Sequence, residues 1–216
     1  MDNKNQNNKQ LKVNREKSKK RNKKLMIIVA VAIFIIYVMY TNLEAITLKV
    51  QGDSPAIFEI IDNKAYINGV ISKNTARDFE AVIANYPELT TVVFDFVPSS
   101  INDDATLKVC EMINSAKLNT LVPYNGLVAG NAVDIFLAGV SRTIESGAKI
   151  GVRARTINKT VVNNLAKSNN SHQRFLELYK KIGVCEEFYW FTVNAPVDKI
   201  KWLTDEEIKQ YNLSTK

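Results

Sequence analysis

A nucleophilic hydrolase needs a hydroxyl or thiol, a base and an acid that orients the base, and this chain holds few candidates for these roles. His172 is its single histidine, so any Ser-His-Asp relay would have to run through it. A lone histidine among polar residues at a helix start reads as a surface group. Ser99 and Ser100 lie just before Asp103 and Asp104 and are candidate nucleophiles if a base is brought to them. The plainer reading makes them turn and N-cap residues. One histidine excludes a His-rich metal site, and the two cysteines, Cys110 and Cys185, lack zinc spacing. Cys110 falls on the inner side of a predicted helix, where a buried free thiol is common. Whether it bridges to Cys185 is a question of geometry. Nothing in the sequence calls for a cofactor.

The stretch that could build a site is Gly126 to Val152, GLVAGNAVDIFLAGVSRTIESGAKIGV. It reads as a turn of small residues, a buried helix, a short strand, a glycine turn and a second short strand. The helix, Ala132 to Ala138, is apolar almost all round and carries one charge, Asp134. Gly139 is placed to end it and Gly130 to open it. A helix start preceded by small residues presents free N–H groups, a common setting for a nucleophile or an oxyanion site.

The surrounding elements alternate between strand and helix. Phe58 to Ile61 and Ala65 to Ile71 read as strands joined by a turn at Asp62 and Asn63. Asn74 is a fair N-cap for a helix over Thr75 to Asn85, with Ala76, Phe79, Val82 and Ile83 on one face. The run TVVFDFV, Thr91 to Val97, predicts a central strand. Asp103 and Asp104 open a helix reaching Ala116, and Asn119 to Val122 is a further strand. This is the repetition that builds a parallel sheet with crossover helices, an α/β fold. Such sheets place ligands at the carboxyl ends of their strands, which brings in the loop after Val97.

Ahead of this domain stand two segments of other character. Residues 1–24 carry ten Lys or Arg against two acids, while the whole chain nets +7, so the other 192 residues net −1. The basic pI belongs to the tail, which weakens any nucleic-acid reading. Rich in Asn, Lys and Gln and without aromatics, the tail is expected to be disordered. Leu25 to Tyr40 is sixteen residues free of charge. It is expected to form, with residues up to 43, an uncleaved transmembrane signal anchor. The basic excess predicts a cytoplasmic N-terminus and a periplasmic or extracellular domain over 45–216.

The last third is less regular. Arg155 to Asn170 reads as a loop or frayed helix, and Ser171 to Ile182 as a helix stopped by Gly183. Phe188 to Thr192, FYWFT, is strand or helix, and either core or a surface between copies of the chain. Thr204 to Glu207 is a capping box.

Gly130, Asn131, Ala132, Asp134, Phe136, Ala138 and Gly139, followed by Arg142, Gly147, Ala148, Gly151, Val152, Arg153 and Ala154, carry a resemblance. They resemble the S-G-A-x-D-x-F-x-A-G and R-x-x-x-x-G-A-x-x-G-V-H-S motifs of the ClpP/crotonase superfamily, in its membrane-anchored or periplasmic serine-peptidase-like branch. The loop Val97, Pro98, Ser99, Ser100 to Ala105 and the run from His172 through Trp202 to Tyr211 resemble the same branch, so the likeness spans roughly Phe58 to Leu213. It implies a ClpP/crotonase-like spiral of ββα units behind a single transmembrane helix. The resemblance sets the nucleophile position at Gly130, its neighbour at Asn131, the usual His-Ser pair at Arg153 and Ala154, and the oxyanion loop at Pro98, Ser99 and Ser100. Those substitutions imply a pseudoenzyme that binds a peptide or protein. The alternative is a hydrolase with a non-standard nucleophile such as Ser99 or Ser100. Ser99 replaces a glycine, so strain is expected there if the backbone needs a positive φ. Homo-oligomers are common in this fold, so the resemblance makes a homo-oligomer one reading, with a monomer whose FYWF cluster is core as the other.

Overall fold

The computed structural model describes residues 2–43, 46–47, 53–157 and 159–216, with side chains from residue 22 onward. Helix α1 runs from Asp2 to Thr41. It begins far ahead of the apolar run, so the basic tail expected to be disordered is helical in this structure. Lys, Gln, Glu, Arg and Leu are good helix formers, and extending an existing helix costs far less than nucleating one. Within it, Asn22–Thr41 is long and apolar enough to cross a membrane. Its side chains from Leu25 to Tyr40 are exposed rather than packed into a core, which fits a single-pass anchor.

The second unit covers 48–216. Strands β1 (Ile57–Ile61) and β2 (Lys64–Asn68) form an antiparallel hairpin turned at Asp62, whose φ is 54°. Helix α2 (Thr75–Asn85) follows, with Phe79 buried beneath it. Asn74 precedes it but makes no side-chain cap; the Ser72 amide bonds the Thr75 hydroxyl instead, at 2.9 Å. Strand β3 (Thr91–Val97) pairs parallel with β2. Helix α3 (Asp103–Ser115) is capped by the Asn102 side chain, which accepts from the Ala105 amide.

At β3 the sheet divides. Its first half, Thr91 to Val93, pairs with β4 (Asn119–Val122), which continues to β6 (Arg142–Ile144). Its second half, Phe96 and Val97, pairs with β5 (Leu127–Ala129), which continues to β7 (Lys149–Val152) and then to the antiparallel β10 (Lys201–Trp202). Helix α4 (Ala132–Leu137) leaves β5 and is buried along its whole length. Phe136 meets Phe94 edge to face at 6.0 Å, and the Thr120 hydroxyl donates to the Phe136 carbonyl at 2.7 Å. Just past the end of this helix, position 139 must be glycine because no Cβ fits: one would lie 2.2 Å from Thr120 Oγ1.

The rest of the chain wraps this core. Residues expected as loop between Arg155 and Asn170 hold a short hairpin, β8 (Thr156–Ile157) with β9 (Thr160–Val161), and one turn of 3₁₀ helix. Helix α5 (Asn170–Ile182) ends at Gly183 in the left-handed region. FYWFT lies in helix α6 (Glu186–Val193), and Phe188 and Tyr189 are core, stacked near Tyr179 and Phe175. This removes two of the four aromatics from any surface between copies. Helix α7 (Asp205–Gln210) has the expected capping box, Thr204 with Glu207. Finally, buried Arg142 staples the C-terminal segment to β6, donating to the carbonyls of Leu213 at 2.8 Å and Asn212 at 3.0 Å. Cys110 and Cys185 are both free thiols, the first buried and the second exposed.

Candidate functional site

Three parallel neighbours, β3, β5 and β7, end on the same side of the sheet. The chain leaving β3 is Pro98 to Asn102; the chain leaving β5 is Gly130 and Asn131; the chain leaving β7 is Arg153 to Arg155. Together they line a cleft of about 350 Å³ with Ser99, Ser100, Ile101, Asp103, Gly130, Asn131, Arg153, Ala154, Arg155, Thr156 and Val197. The site positions from Ser99 to Ala154 taken from sequence thus converge, as carboxyl ends of adjacent parallel strands should. Of those positions, Pro98 alone is outside the lining.

The turn at Gly130 has φ 57°, and its amide donates to the Gly151 carbonyl at 2.9 Å, tying the ends of β5 and β7 together. A Cβ there would meet nothing nearer than Ser99 Oγ at 3.8 Å. The position is therefore open toward the cleft. Ser99 is not in the left-handed region, so the strain expected of a serine in a glycine's place is absent. Its carbonyl accepts from the Ile71 amide at 3.0 Å, and Ile101 N–H donates back to the Ile71 carbonyl at 2.9 Å. These bonds hold the loop extended against the chain after β2.

Neither loop hydroxyl meets a base. Ser99 Oγ lies 3.5 Å from an Arg153 guanidinium nitrogen. Arginine stays protonated and cannot accept a proton. Ser100 is buried, and its hydroxyl shares a 2.7 Å bond with Thr106 Oγ1, which ties the loop to α3. No lysine or histidine is among the residues lining the cleft.

His172 is fully buried rather than on the surface, correcting the expectation drawn from its polar neighbours. Its Nδ1 lies 2.6 Å from the Tyr189 hydroxyl. That hydroxyl also accepts from Arg155 at 2.9 Å. Among the described residues, Nε2 has no hydrogen-bond partner. Burial, then the Arg155 charge, holds the histidine below its ordinary pKa, with the Leu165 and Val162 carbonyls pulling weakly the other way.

Arg155, which sequence reading passed over, organises the floor of the cleft. It donates to Asp103 Oδ2 at 2.8 Å and to Tyr189, and its guanidinium stacks on Phe175 at 3.6 Å. The other Asp103 oxygen accepts from Asn131 Nδ2 at 3.2 Å. A continuous polar chain thus runs from Asn131 through Asp103, Arg155 and Tyr189 to His172. Its members sit at positions 103, 131, 155, 172 and 189, a spacing with no local pattern. A polar residue inside an aromatic cluster, such as Tyr189 in FYWFT, was the one available hint.

Below the cleft, Asp134 is buried and accepts from the Tyr179 hydroxyl at 2.7 Å. Burial pushes its pKa up to about 6, against the opposing pull of the Tyr179 bond and Arg155. Beside it, the Cys110 thiol and the Tyr179 phenol are both pushed well up, first by burial and then by the Asp134 charge. These groups are structural at neutral pH: a thiol held protonated is a poor nucleophile.

No protein-family model matches the sequence, and no curated protein matches it. Among solved structures the chain is similar to a mutant of the membrane-bound stomatin-specific protease, with a TM-score of 0.48 and 18% identity. That match covers 69% of this chain and 75% of the protease. It is also similar to methylmalonyl CoA decarboxylase, with TM-score 0.46 and 13% identity over 72% of this chain, and it spans 64% of that protein. For an enoyl-CoA hydratase from Bacillus anthracis the TM-score is 0.45 and the identity 12%, over 74% of this chain and 68% of that one.

Proposed function

We propose that this chain is a membrane-anchored, catalytically silent relative of the ClpP/crotonase hydrolases, which holds a peptide or protein segment in its cleft without cleaving it. One observation carries this reading. The cleft has a glycine, Gly130, at the turn where the resemblance places the nucleophile, and its nearest hydroxyl, Ser99, faces the Arg153 guanidinium and not a base. Covalent catalysis needs the hydroxyl, a base in hydrogen-bond reach and an oxyanion site together. Ser100, the other candidate, is committed to Thr106. The one histidine is committed to Tyr189.

The test is covalent labelling of the full chain, in detergent, by a fluorophosphonate. No labelled serine is expected. A label at Ser99 or Ser100, lost in Ser99→Ala or Ser100→Ala, would establish the hydrolase reading instead. The anchor is proposed to place the N-terminus in the cytoplasm and the domain outside, on the charge step from Lys24 to Leu25. A reporter active only in the cytoplasm, fused after Lys216, should be silent; strong activity would reverse the orientation.

A further inference from the structure

Three ionic groups line the cleft, and two of them cancel. Asp103 and Arg155 form an ion pair at 2.8 Å, with the arginine side chain 6% exposed and the aspartate 27%. Both Asp103 oxygens are occupied, one by Arg155 and one by Asn131. Arg153 is different. It is half-buried at the exit of β7, and among the described residues it has no acidic partner. Among the described residues, its one side-chain hydrogen bond is to the Ser99 hydroxyl, at the long limit of 3.5 Å. A guanidinium has five N–H donors in a rigid fork that matches a carboxylate. Most of that capacity is unspent here, and it is directed into a cleft open at Gly130.

Two exposed apolar side chains stand in the cleft's mostly polar lining. Ile101 and Val197 both line it and are exposed, 47% and 42%. One uncompensated positive charge suits a monoanion. A phosphate dianion would call for more than one cation. A volume of about 350 Å³ is at the small end of ligand pockets and takes one or two residues of a peptide rather than a folded surface.

Resting on the reading of the cleft as a binding site, we infer that it recognises a carboxylate carried on a short apolar chain, the form presented by the C-terminal end of a polypeptide. Arg153 receives the carboxylate in a forked pair, and Ile101 and Val197 cover the adjoining apolar side chain. Ser99 keeps the guanidinium aimed across the cleft. The same chemistry is offered by a free short-chain fatty acid, and the two sources are separable by experiment.

The probe is an N-terminally dansylated peptide of four alanines and a terminal leucine, titrated against the full chain in detergent micelles and followed by fluorescence anisotropy. The free acid is expected to bind at least about tenfold more tightly than the C-terminal amide, since a charge-assisted bond to a partly buried arginine is worth at least that factor. Arg153→Gln should lose about tenfold for the acid and nothing for the amide. Arg153→Lys, which keeps the charge but not the fork, should fall between, and Arg174→Gln, whose arginine pairs with Asp104 and is not among the cleft-lining residues, should match wild type. Hexanoate that displaces the peptide extends the ligand to any carboxylate on an apolar chain, and hexanoate that does not makes it a polypeptide end; both support the inference. Equal binding of acid and amide, an unaltered Arg153→Gln, or no binding of the acid up to roughly millimolar concentration overturns it. None of these outcomes touches the non-catalytic reading, which fails instead if the bound peptide is cut or a serine is labelled.

Discussion

Arg155 donates to Asp103 across the floor of the cleft at 2.8 Å while its plane lies on the Phe175 ring. The arginine is almost fully enclosed and the aspartate mostly so. Removing one member of such a pair strands the other charge. Arg155→Met is therefore expected to cost about 3 kcal/mol, or roughly 6–12 °C in Tm for a domain of this size. Arg155→Lys should recover less than half of that, because an ammonium cannot reach Asp103 and Tyr189 together as the fork does. Thermal unfolding of the full chain in detergent checks both, and a loss under about 0.5 kcal/mol for Arg155→Met would show the pair to be neutral.

The buried Asp134 makes stability depend on pH. Its folded pKa is raised from 3.8 to about 6, so the folded state holds the proton more tightly than the unfolded one. Its contribution is complete below pH 3.8 and is lost as the pH rises through about 6. The loss is on the order of 3 kcal/mol. His172, with its pKa lowered, acts the other way: its contribution is present above 6.5 and fades as the pH falls. Asp134→Asn keeps an acceptor for Tyr179 and removes the titration. The difference between wild type and Asp134→Asn, in urea unfolding from pH 4 to 7, should grow with pH in favour of the variant. A constant difference would mean that Asp134 does not titrate in this window.

Gly130→Ser should fold and remain inert. The nearest atom to the new Cβ is 3.8 Å away, so the side chain has room. The left-handed φ of 57° adds a cost of about 1 kcal/mol. A hydroxyl without a base is a weak nucleophile. Turnover of p-nitrophenyl butyrate is expected to stay at background, and a burst of nitrophenol equal to the enzyme concentration would reveal a base not recognised in the cleft.

The two thiols should react apart. Cys185 is exposed at the start of α6, whereas Cys110 is buried and its pKa is raised by burial. Titration with a disulfide reagent should count one thiol in the native chain and two in denaturant. A count of zero before reduction would indicate a disulfide formed between them.

Much of the fold was legible along the chain because it depends on local pattern. The TVVFDFV run, the apolar face of Thr75 to Asn85, and the capping box at Thr204 each state an element within a dozen residues. Periodicity and propensity act over that distance. The short segment around FYWFT was open between strand and helix, since five aromatic residues suit either; its partners Tyr179, Phe175 and Tyr211 decided for a helix. The basic tail misled in the other direction, because its composition resists burial without resisting helix.

By itself the sequence determined that Gly130 has no hydroxyl, that Arg153 is no base, that one histidine exists, and that an apolar run precedes an α/β domain. These are matters of residue type. The tertiary structure decided where those residues sit. His172 is buried against Tyr189 because α5 and α6 pack together, which no neighbour in sequence announces. Arg155 meets Asp103, and Arg153 faces Ser99 with its charge unspent, because β3, β5 and β7 end side by side. Hydrogen bonds and charge pairs act over a few ångströms of space, and parallel pairing across crossover helices joins positions dozens of residues apart.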